Sequence, residues 1–61
     1  MKEKELVGNA FETADDLFEN VSKTYDAAYD INPVLALLLT EVLKDVASIK
    51  DRLEEIHNVL F

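Results

Sequence analysis

Eight large aliphatic residues in the second half of the chain follow one another in steps of four and three. They are Leu35, Leu39, Val42, Val46, Ile49, Leu53, Ile56 and Leu60. Such steps keep successive side chains on one side of an α-helix, whereas a strand, with its period of two, would divide them between both faces. The repeat is that of a coiled-coil seam, with Leu39, Val46, Leu53 and Leu60 at a and Leu35, Val42, Ile49 and Ile56 at d. Leucine at a with isoleucine at d moves parallel coiled coils away from two strands towards higher numbers. Four helices in cross-section satisfy that preference.

The first half carries a matching stripe: Val7, Ala10, Phe11, Ala14, Leu17, Phe18, Val21, Tyr25 and Ala28. Phe11, Phe18 and Tyr25 recur every seven residues along its edge, and small alanines alternate with the rings, as interdigitating helices require. The stripe predicts a helix over about 4–29. A shorter version starts at Asn9 as N-cap, with Glu12 three residues on as its capping-box partner. The longer one must accept Gly8 inside a helix at about 1 kcal/mol.

Between the stripes lies Asp30-Ile31-Asn32-Pro33. Proline lacks an amide donor and clashes inside a helix, yet suits a first turn, where that donor has no partner in any case. It also pushes the preceding residue to extended dihedrals, so Asn32 reads as the N-cap of a second helix over 33–60. A polar connection over 30–32 turns the chain back on itself. The rival is one continuous helix kinked at Pro33. Folded at the turn, the two helices have matched lengths of roughly 40 Å at 1.5 Å per residue. The expected architecture is therefore all-α: one domain over 1–61, an antiparallel two-helix hairpin that pairs with a second copy into a four-helix bundle. The seam of core and dimer is assigned to Phe11, Leu17, Phe18, Val21, Tyr25, Leu35, Leu39, Val42, Val46, Ile49, Leu53, Ile56 and Leu60.

The second copy is expected because 61 residues bury too little surface alone. Small chains gain support from disulfides, metals or association. Without cysteine and with a single histidine, neither a disulfide nor a classical zinc site within one chain is expected, which leaves helix packing and association. Absence of cysteine suits a reducing compartment. The start, Met1-Lys2-Glu3-Lys4-Glu5, is charged and no apolar stretch of signal-peptide length follows it. The longest apolar run, Val34 to Leu39, is far short of the ~20 residues of a membrane span. A cytoplasmic protein without a membrane partner is expected. Thirteen acidic against six basic residues give a net charge of −7, and the basic residues form no cluster, so direct nucleic-acid binding is not expected.

Three features invite a functional reading. Glu54-x-x-His57 has the spacing used by di-iron bundles. Yet Glu54 falls at an outward position, the first helix carries no carboxylate on its apolar stripe, and His57 sits in a last turn, where the helix dipole favours a basic group. No metal or other cofactor is expected. Glu12, Asp15, Asp16 and Glu19 form an acidic surface on the first helix, with like charges four residues apart. It reads either as a solubilising face or as an imitation of nucleic-acid phosphates. Finally Val34-Leu35-Ala36-Leu37-Leu38-Leu39 is apolar all round, so Ile31, Val34 and Leu37 become a candidate surface for a partner protein. Tyr25 and Tyr29 read as core-edge residues with wet hydroxyls. One histidine, two serines and no cysteine give no nucleophile–base–orienter set, and there is no glycine-rich phosphate loop, so an enzyme is not expected.

In outline alone the hairpin resembles plasmid and viral helical-hairpin proteins that dimerise into four-helix bundles. No residue motif is shared, so nothing of their function carries over. The expected function is a non-enzymatic, homo-oligomeric protein-interaction module, an adaptor or regulator of phage or mobile-element type. The alternative is an acidic, nucleic-acid-mimicking inhibitor of a DNA- or RNA-binding protein.

Overall fold

A computed structural model describes residues 2–61. Two helices of equal length, α1 (Lys2–Tyr29) and α2 (Pro33–Leu60), pack against each other as an antiparallel hairpin. The expected boundaries hold for α2 and for the end of α1. The start of α1 lies earlier than expected, at Lys2, and the helix runs through Gly8 and Asn9 without interruption. Asn9 is not a cap: its carbonyl accepts from the Thr13 hydroxyl at 2.9 Å, within the helix. Glu3 and Glu5 occupy the first turn, where the helix dipole favours acids.

Gly8 has no backbone need to be glycine. Its φ is negative, and a Cβ placed on it would meet nothing within 4 Å. Gly8→Ala is therefore expected to stabilise the fold by about 0.5–1 kcal/mol through lower chain entropy. A thermal melt followed by circular dichroism should show Tm raised by about 2–8 °C. A lowered Tm would show that the space beside Gly8 is filled in solution.

The turn is built by Asn32 and Pro33. Asn32 takes extended dihedrals (φ −147°, ψ 92°), and its side-chain oxygen accepts from the Leu35 amide at 3.2 Å. Its own amide donates to the Ala28 carbonyl at 2.7 Å, and its carbonyl accepts from Ala36 at 3.1 Å. One residue thus ends α1 and starts α2. No residue among those described needs a positive φ, so Asp30-Ile31-Asn32 reverses the chain without glycine.

The closest packing falls on small side chains. The only buried residues among those described are Ala14, Ala28, Ala36 and Val46, with Ala36 at 3% and Val46 at 4% exposure. Around them Val7, Phe11, Phe18, Val21 and Tyr25 of α1 are half-buried, as are Leu39, Leu43, Ala47, Lys50, Leu53 and His57 of α2. This divides the expected seam in two. Phe11, Phe18, Val21, Tyr25, Leu39, Val46 and Leu53 lie between the helices. Leu17, Leu35, Val42, Ile49, Ile56 and Leu60 do not, and are exposed. The reason is rotation: alanines let the backbones approach where they face each other, which turns α2 so that Leu43, Lys50 and His57 come inward and the d positions swing out.

The molecule is a single layer. Its Cα extents are 46 × 14 × 9 Å and its radius of gyration is 14.1 Å, where a compact chain of this length has about 10.5 Å. Its solvent-accessible surface is 4786 Å², against about 4,000 Å² for a compact monomer of this mass. Domains ordinarily need two packed layers around a core. This hairpin has one.

Candidate interaction surface

The hairpin has two unlike sides. On one, Lys50 of α2 reaches across to α1. Its ammonium lies 2.6 Å from Asp15 Oδ1 and stands 5.8 and 5.0 Å from the ring centres of Phe11 and Phe18. The Lys50 side chain is only 23% exposed. Its aliphatic stem fills the seam while its charge stays at the rim, where an aromatic face and a carboxylate both favour a cation. Asp15, read from the sequence as part of the acidic surface, thus shares with Lys50 the one ion pair between the helices among the described residues.

The acidic surface is thereby thinned. Asp15 is taken by Lys50, and Glu19 pairs with Lys23 at 3.4 Å. Both pairs are substantially exposed at the acid, so neither adds more than about 1 kcal/mol. Glu12 stands with Glu54 at a cleft of about 360 Å³ between the free ends of the helices, lined also by Val7, Gly8, Phe11, Leu53 and His57. His57 is half-buried rather than fully solvated, its ring 6.0 Å from that of Phe61. Glu12, Glu54 and His57 share this cleft, but no three acidic or histidine side chains among the described residues stand close enough to hold a metal ion.

The other side is mostly apolar, interrupted on α2 only by Asp45 and Arg52. On α1 it is drawn by Leu6, Ala10, Thr13, Leu17, Asn20, Thr24, Ala27 and, past the helix end, Ile31. These positions alternate in steps of four and three and carry no charge. All are exposed. Thr13 and Thr24 have already donated their hydroxyls to the Asn9 and Asn20 carbonyls, each at 2.9 Å, so they bring no unpartnered donor to this face. On α2 the face continues through Leu35, Leu38, Val42, Ile49 and Ile56, all exposed, with Ile49 at 50%. A shallow hollow lined by Thr24, Ala27, Ile31 and Leu35 puts the two rows on the same side of the hairpin. Apolar residues exposed side by side in this way mark interaction surfaces more often than singly scattered ones do.

No family model, curated protein or solved structure matches this chain.

At the loop end the apolar character spreads round the molecule. Ile31 is 83% exposed, and Val34 and Leu37 are exposed as well. At 100° per residue Leu37 points away from the apolar face, over the outer side of α2, while Val34 shares the helical angle of Arg52, at the edge of that face. The Tyr25 and Tyr29 rings stack obliquely nearby, 6.1 Å apart. Of the three residues singled out as a partner surface, all exposed, Ile31 belongs to the long face, Val34 to its edge and Leu37 to the back. The sequence signal for the long face was the uncharged row from Leu6 to Ile31 in steps of four and three, which the larger residues of the neighbouring stripe obscured. No helix among the described residues is long and apolar enough to cross a membrane.

Proposed function

We propose that this protein is a non-enzymatic interaction module that works as a homodimer, two hairpins stacked through their apolar faces into a four-helix bundle. The observation that carries the reading is the uncharged row Leu6 to Ile31 of α1, exposed beside Leu35, Val42, Ile49 and Ile56 of α2. A second copy supplies the missing layer. The surface in excess of a compact monomer, about 800 Å², is what each partner of a standard interface buries.

In such a bundle Leu37 stays outside, at the loop end, with Val34 at the edge of the contact, and the two are the surface left for another protein. This makes the dimer an adaptor or regulator rather than a catalyst, and the absence of cysteine suits a cytoplasmic setting. The acidic reading gains less support, because Asp15 and Glu19 already have basic partners.

Sedimentation equilibrium tests the proposal. The expected result is twice the 6.9 kDa chain mass, with a Tm that falls on dilution, as association linked to folding requires. A folded, cooperative species at the single-chain mass, with Tm independent of concentration, would remove it.

A further inference from the structure

Two charges interrupt the apolar face, and they fix how the second copy lies on it. Along α2 the exposed row runs Leu35, Leu38, Val42, Asp45, Ile49, Arg52, Ile56. Asp45 and Arg52 have opposite sign, are both exposed, and make no ion pair among the described residues. They flank Ile49, seven residues or about 10.5 Å apart along the helix.

The polar residues of α1 match them level for level. Lys50 bonds Asp15, and Leu53 and His57 share a cleft with Phe11 and Gly8, so facing residues have numbers that sum to about 65. On that register Asn20 stands beside Asp45 and Thr13 beside Arg52. Leu17 and Ile49 form the wholly apolar layer between them. The face is thus apolar at its middle, polar one step to either side, and apolar beyond.

Resting on the homodimer reading, we infer that the two hairpins are related by a two-fold axis crossing the helices at the Leu17–Ile49 layer, with each α2 antiparallel on the other α2. A rotation about that axis exchanges the two polar layers. Asp45 of each copy then meets Arg52 of the other, twice over, and Asn20 meets Thr13. Beyond them Leu6 of one copy lies against Ala27 of the other, and Val42 against Ile56, so the outer layers are apolar from both copies. The alternative axis, parallel to the helices, keeps residues of like number at one level. It lays each α2 on the other copy's α1, so Asp45 faces Asn20 and Arg52 faces Thr13, and neither charge meets its opposite. A two-fold interface is self-complementary by construction, and only the crossing axis makes this charge pattern complementary to itself.

Cysteine cross-linking tests the axis, since the native chain has no cysteine to interfere. Disulfides need Cα atoms within about 7 Å. Ile49→Cys sits on the axis and is expected to link two copies under mild oxidation. Leu35→Cys, about 20 Å from the axis in each copy, is expected not to. Charge exchange gives an independent reading. Asp45→Arg alone and Arg52→Asp alone each place like charges in contact and should weaken the dimer about tenfold, and the double exchange should restore it. A native dimer in which Ile49→Cys fails to link, or in which Asp45→Arg has no effect, overturns the axis and leaves the homodimer standing. A native chain that sediments as a monomer overturns both, and the face then belongs to a different partner.

Discussion

Val46→Asp is expected to abolish the helical fold. Val46 is 4% exposed at the centre of the contact between α1 and α2, and no cation stands ready for a carboxylate there: Lys50, one turn on, is held by Asp15. Burying an unpaired charge costs several kcal/mol unless the group neutralises or the structure opens. A chain of this length commands roughly 3–9 kcal/mol in all. Circular dichroism should show the loss of most of the helical signal at room temperature. Val34→Asp, the same chemistry in the exposed first turn of α2, should leave the signal intact and raise stability slightly, because an acid there opposes the dipole charge of a helix that has none in its first turn. Equal effects of the two substitutions would show that Val46 is not buried in solution.

The second large effect concerns association. Leu17→Glu combined with Ile49→Glu puts four carboxylates into the central layer of the proposed dimer. Both sites are exposed in the hairpin itself, so within one chain the change is mild. Across the interface it removes two central apolar anchors per copy, and anchors of that kind cost about 2 kcal/mol or more each. The dissociation constant should rise at least about a thousandfold, and sedimentation should show monomer at concentrations where the native chain is dimeric. Leu37→Glu, on the outer side of α2, should leave the dimer unchanged. Were Leu37→Glu to dissociate the dimer while the double substitution did not, the faces would have been assigned the wrong way round.

The boundaries of the hairpin were legible because a few local rules act alone there. Asn32 and Pro33 have narrow backbone preferences, and nothing elsewhere in the chain overrides them. The rotation of each helix about its axis was not legible. A stripe repeating in steps of three and four is broad enough to serve two neighbours, one helix inside the hairpin and another outside it. Which edge turns inward is decided by how closely the backbones approach, and so by Ala14, Ala28 and Ala36, the least conspicuous members of the pattern. Lys50 was hidden for a different reason. Its charge marks it as a surface residue, but its stem is long enough to lie in the seam with the ammonium at the rim beside Asp15, and only the spacing of Phe11 and Phe18 on the opposite helix could have suggested it.

The equal lengths of α1 and α2 carry one more consequence. Lys2 and Leu60 leave the hairpin at the same pole, some 46 Å end to end from the connection at Asp30–Asn32. With the crossing axis, each pole of the assembled particle holds one copy's bend and the other copy's paired tails. Anything tethered to the tails would then be displayed at both poles, each time beside an Ile31–Val34–Leu37 bend, and a ligand wide enough to grip both features at one pole would be gripping two different chains.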